Sequence, residues 1–295
     1  MVEDVQDQLI SPRRVSGLSE LVADYDLILC DVWGVLHNGA AAFAAASEAL
    51  GRARSKGLSV LLISNAPRPG PFVMTMLDNL GVPRTAYDGI VTSGDVTRAV
   101  LATHAGSRVY HLGPARDLGT FDGLGLVMTD PDAAEIVVCT GLLDDTIETP
   151  DDYVERLTAM RARDLTFICA NPDIVVERGN QLIYCAGAIA QVYEKMGGKT
   201  VYCGKPYLPI YKEAIVQATA LRPGLASARV LCIGDALRTD IIGATAAGFD
   251  SLFIASGIHA GDLGAEGGAE PSAQALAELF ADHAHPRGVM PRLAW

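Results

Sequence analysis

At 295 residues, with 49% apolar side chains, the chain is long enough for one large domain or two medium ones with a sizeable core. A net charge of −12 argues against a nucleic-acid partner, because a phosphate backbone needs a basic face. It leaves room for one small phosphate ester held by a few local cations and a metal.

The chain begins Met-Val-Glu-Asp with no apolar leader, and no apolar stretch reaches the ~20 residues that span a bilayer. A soluble, cytoplasmic protein without a membrane partner is expected. Short apolar runs then recur, first at residues 27–30 and 58–63. Runs at 136–139 and 166–170 follow, with a helix-like segment, 151–163, between them. After a run at 201–203, Ile210, Ala214, Ala218 and Leu221 recur at helical spacing until Pro223 and Gly224 end the pattern. The run at 230–233 precedes a small-residue helix from Ile241 to Ala247, closed by Gly248. The run at 252–255 is the last. Residues 261–272 suggest a flexible connection; Leu276, Leu279 and Phe280 suggest a short helix, and 289–295 is too short to assign. Several runs are continuously apolar, which predicts strands buried on both faces. The alternation predicts an α/β fold with a Rossmann-like parallel-sheet core covered by helices.

Cys30, Cys139, Cys169, Cys185, Cys203 and Cys232 mostly sit in or beside these runs, with no zinc-like spacing. Reduced core thiols are expected, which suits the cytoplasm.

Four runs end in polar chemistry: Asp31, Trp33 and Gly34 after the first, Ser64 and Asn65 after the second, Lys205 after 201–203, and Asp235 with Asp240 after 230–233. Open α/β sheets bind ligands at the carboxyl ends of their strands, so these residues can converge. One such Asp alone is most simply a cap or turn former. Four segments in this order are harder to explain so. Three carboxylates, a hydroxyl and an ammonium suit Mg²⁺ and phosphoryl transfer, and a carboxylate can itself attack phosphorus.

From about Ser16 to about Gly257 the chain resembles class IIA of the haloacid dehalogenase superfamily, whose four ordered motifs these segments match. The stretch from Tyr87 to Asp95, the Asn171-Pro172-Asp173 turn and the Gly197-Gly198-Lys199 stretch add to the likeness. The resemblance implies an Mg²⁺-dependent phosphatase acting on a small-molecule phosphate ester through an aspartyl-phosphate. Asp31 would be nucleophile and metal ligand, the Trp33 carbonyl a second ligand, and Asp235 and Asp240 the remaining acids. Lys205 would neutralise nucleophile and phosphate. Gly34, Ser64, Asn65 and the insert's Asp173 would contact substrate. It also implies an inserted α/β cap, placed at residues 104–199, with the catalytic core at 1–103 and 200–295. The stretch between Ser64 and Lys205 is far too long for a loop. A homodimer through the cap is admitted. His37, His111 and His259 are expected to be structural.

The family's phosphatases usually carry a second Asp two residues after the nucleophile, as proton donor and base. Here that position is Trp33, whose indole donates a hydrogen bond but exchanges no proton at neutral pH. A slow phosphatase, a hydrolase of C–P or C–halogen bonds, and a phosphate- or nucleotide-binding protein with little turnover all remain readings. The substrate is open among sugar phosphates, pyridoxal phosphate, phosphoglycolate, glycerol phosphate and nucleotides.

Overall fold

The computed structural model describes residues 12–178, 181–283 and 285–295; the expectation about a leader falls on residues outside these. The strands in chain order are β1 (Leu27–Cys30), β2 (Ser59–Ser64), β3 (Gly89–Thr92), β4 (Arg108–Leu112), β5 (Val127–Met128), β6 (Ile136–Cys139) and β7 (Thr166–Cys169). They continue as β8 (Val175–Arg178), β9 (Gln181–Tyr184), β10 (Lys199–Tyr202), β11 (Val230–Gly234), β12 (Asp250–Ile254) and β13 (Gly288–Met290).

The larger sheet has the order β13-β12-β11-β1-β2-β3, parallel throughout, with β1 at its centre. Every residue of β1, β2 and β11 is buried, as a strand covered on both faces requires. Alternation sorts their side chains between two apolar clusters. Ile28, Cys30, Val60 and Leu62 enter one; Leu27, Leu29, Leu61 and Ile63 enter the other. The helix Ser93–Ala102 follows β3 through a capping box in which Thr92 and Asp95 bond each other's backbone N–H.

The second sheet, also parallel, has the order β10-β7-β6-β4-β5. One face builds its own cluster around Phe167, Tyr153, Leu157, Ile189 and Tyr193. From the other face Val109, Val138 and Ile168 join the cluster that holds Leu29 and Val91 of the larger sheet. The two sheets therefore share apolar packing. β10 belongs to this second sheet, so it runs past the expected limit at 199, and the expected core strand at 201–203 is this sheet's edge. β8 and β9 pair as an antiparallel hairpin outside both sheets.

The expected connection at 261–272 contains a short helix and two buried anchors. Ala260–Leu263 is a short helix, Leu263 and Ala265 are buried, and Ser256 Oγ donates to the Ala265 carbonyl at 2.6 Å. All six cysteines are buried free thiols. Among the described residues no helix is long and apolar enough to cross a membrane.

Candidate active site

Asp31 directly follows β1, and Asp235 directly follows β11, its hydrogen-bonded neighbour, so the register brings the two together. Asp240 lies on a π-type turn, Leu237–Ile241, where its Oδ2 accepts the Ala236 N–H at 3.1 Å. Lys205, three residues past β10, reaches into this group. Its Nζ donates to Asp31 Oδ1 at 2.5 Å and to Asp240 Oδ1 at 2.7 Å. All four side chains are buried.

Asp235 is seated by backbone. The Ile258 N–H donates to its Oδ2 at 2.7 Å, and a Cβ at Gly34 or Gly257 would collide with its carboxylate. Gly34 also takes φ +81°, a left-handed conformation that favours glycine.

Asn65, just past β2, receives the Lys205 N–H on its Oδ1 at 2.7 Å. Its Nδ2 donates to the Lys205 carbonyl at 3.2 Å and to Asp173 Oδ1 at 2.8 Å. The neighbouring Ser64 Oγ accepts the Ala66 N–H at 3.2 Å. Trp33 packs edge-on against His37, with centroids 4.9 Å apart, and a Cβ at Gly39 would run into the indole. His37 is fully buried, accepts the Gly39 N–H on Nδ1 at 2.9 Å, and is pushed down to about 4 by burial. Its ring lines the cavity beside Trp33.

Asp31, Trp33, Gly34, Ser64, Asn65, Asp173, Lys205, Asp235 and Asp240 all line one cavity of about 220 Å³. The cavity also takes in residues that no local signal in the sequence singled out: Arg68, Arg116, Asp117, Thr140, Asp145 and Arg178. They come from separate elements, and only the packing of the second sheet over the first assembles them.

Asp31, Asp235 and Asp240 each offer an oxygen within 4.8 Å of the others. Burial, and then the like charge of Asp31 and Asp240, pushes Asp235 well above the usual carboxylate range. Burial also raises Asp31, against the opposing pull of Lys205. Burial alone would lower Lys205, but Asp240, Asp31 and Asp173 outweigh it and hold the ammonium firmly charged. Three acids crowded around one ammonium in a buried place favour keeping protons where no cation is bound. The donor set is all oxygen, so the residues present fit a hard divalent cation.

Two family descriptions match the chain: haloacid dehalogenase-like hydrolase over residues 28–127, and HAD-hydrolase-like over residues 202–282. A solved structure of a haloacid dehalogenase-like family hydrolase from Brucella suis 1330 is 44% identical, covers 96% of this chain and 99% of its own, and superposes with a TM-score of 0.82. The ribonucleotide monophosphatase NagD of Escherichia coli K12 is 27% identical over 80% of this chain and 89% of itself. The D-glycerol 3-phosphate phosphatase of Mycobacterium tuberculosis is 30% identical over 82% of this chain and 66% of itself. With a relative of such identity matched across nearly its whole length, the chain belongs to the haloacid dehalogenase-like hydrolases, in the class IIA branch of phosphoric monoester hydrolases.

Proposed function

We propose that this hydrolase uses Mg²⁺ and the Asp31 carboxylate to remove phosphate from a small phosphate monoester, with an aspartyl-phosphate intermediate. The observation that carries the reading is the buried Asp31–Lys205–Asp240 contact, at 2.5 and 2.7 Å, beside Asp235 in one cavity. The names of the relatives, one a ribonucleotide monophosphatase and one a glycerol phosphate phosphatase, support a phosphate monoester as substrate.

In this reading Asp31, Asp235, Asp240 and the Trp33 carbonyl would hold the metal. When bound, Mg²⁺ would supply positive charge to offset the acids and the phosphate. Lys205 orients Asp31 and neutralises the phosphate as Asp31 attacks. The Ser64 hydroxyl, whose oxygen accepts the Ala66 N–H, has its own proton to donate to a phosphate oxygen; Gly34 and Asn65 line the substrate pocket beside it, and Asp173 faces the substrate body. One Asp31 oxygen forms a bond to phosphorus as the ester oxygen leaves with a solvent proton. Water then attacks the phosphorus, freeing Asp31 and inorganic phosphate. Trp33 neither takes up nor releases a proton at neutral pH, so the second half is slow. The unit around the second sheet, residues 104–199 with β10 completing it, serves as a cap that selects the substrate.

Phosphate release from a panel of monoesters tests the reading. Turnover with Mg²⁺, its loss in chelator and its loss in folded Asp31→Asn are expected. No release from any ester, or undiminished release by Asp31→Asn, would overturn it.

A further inference from the structure

The floor of the cavity is acidic, but its roof is not. Arg116, from the 3₁₀ segment Ala115–Phe121, donates through Nη2 to Asp145 Oδ2 at 2.5 Å. Arg178, the last residue of β8, grips the same carboxylate from the other side, with Nη1 to Oδ1 at 3.2 Å and Nη2 to Oδ2 at 3.0 Å. The Asp145 side chain is only 10% exposed, while the two arginines are about half exposed. One carboxylate thus pins two guanidinium groups against the cavity. A brace between hairpin and loop needs one arginine; the second leaves a fixed positive charge. The other roof pair, Arg68 and Asp117 at 3.6 Å, is balanced. The cavity lining as a whole stays acidic, with six aspartates against Arg68, Arg116, Arg178 and Lys205, so two arginines on one carboxylate set this end apart from the floor.

A guanidinium has five N–H donors, and the bonds to Asp145 leave others available on each arginine. Planar carboxylates match that fork with two parallel bonds. The cavity's 220 Å³ is smaller than the about 300–1,000 Å³ of sites that take drug-sized ligands, so a short substrate fits better than a nucleotide.

Building on the phosphatase reading, we infer that the substrate is a short phosphate monoester bearing a second, anionic group. That group is a carboxylate two or three carbons from the ester, held by Arg116 and Arg178. Asp145 is the positioning residue that fixes the two arginines.

The test compares 3-phosphoglycerate with glycerol 3-phosphate, which differ in a carboxylate for a hydroxymethyl group, using the Mg²⁺-loaded enzyme. Wild type is expected to favour the acid by at least about tenfold in kcat/KM, as charge-assisted bonds imply, chiefly through KM. Arg178→Gln should bring that ratio close to one, with Arg178→Lys keeping part of it. A merely structural role would lower kcat on both esters together and leave the ratio unmoved, which overturns the inference. So would equal use of both esters by wild type, or a stronger preference for a bisphosphate of the same length; either leaves the phosphatase reading standing. If neither these esters nor p-nitrophenyl phosphate is hydrolysed, the phosphatase reading fails and this inference with it. Should Arg178→Gln not fold, the wild-type ratio and Arg116→Gln decide the matter.

Discussion

Gly257 fixes where Asp235 can stand. Nothing about its own backbone demands glycine, but a methyl group there would press on the Asp235 carboxylate. Gly257→Ala is therefore expected to weaken Mg²⁺ binding by roughly 10–100-fold, as changes just behind metal ligands do, without altering any carboxylate. Titration calorimetry on the folded variant measures it. Trp33 is the other decisive residue. It packs on His37 and over Gly39, whose φ of +84° lets the loop pass beneath the indole. If Trp33 leaves water unactivated, p-nitrophenyl phosphate should give a burst of nitrophenol followed by slow turnover. Trp33→Asp should shrink the burst and speed turnover, more for alkyl esters. The gain should fall short of the ~10²–10⁴-fold typical of a general acid–base, because the smaller side chain leaves a void. Rapid-mixing kinetics decide it; fast wild-type turnover without a burst would show that another group already handles the proton.

At the scale of elements, Asn65 fastens the end of β2 to the segment after β10 and to Asp173. Asn65→Ala strands the buried Lys205 N–H and should cost about 1–3 kcal/mol in urea unfolding, with kcat/KM falling as Lys205 loses its seat. The strands that carry these residues were legible because burial on both faces leaves continuous apolar runs, as in β1, β2 and β11. β4 includes Arg108 and His111, β5 is two exposed residues, and β8 and β9 include Arg178 and Gln181; such strands leave no apolar run to find. The terminal β13 has three residues and exists through pairing with β12. The acidic floor was legible because each acid sits beside a readable strand. The roof was not: Arg116, Asp145 and Arg178 have no common spacing and meet only through tertiary packing. Residues 261–272 look loose in composition, yet Leu263 and Ala265 bury themselves against Phe253 and Phe280.

At the scale of the whole molecule, the shared apolar cluster couples the second sheet to the first, and a buried histidine in the loop after β1 and a half-buried one on β4 make the fold acid-sensitive. His37 lies beside β1, and His111 lies on β4, bonded to Thr140 Oγ1 at 2.8 Å; burial holds both near 4, below the ordinary 6.5. The unfolded chain takes up these protons first. The stability they contribute is complete above about pH 6.5 and is lost as the pH falls toward 4. Urea midpoints should drop across that window, and less steeply in His111→Gln. The central claim, that Asp31 itself takes the phosphoryl group, is tested most directly by acid-quenching the Mg²⁺-loaded enzyme during turnover of p-nitrophenyl phosphate and mapping the modified peptide by mass spectrometry. The account predicts one phosphoryl group on Asp31, accumulating within the burst and absent from Asp31→Asn; phosphorylation at another residue, or steady turnover by Asp31→Asn, would contradict it.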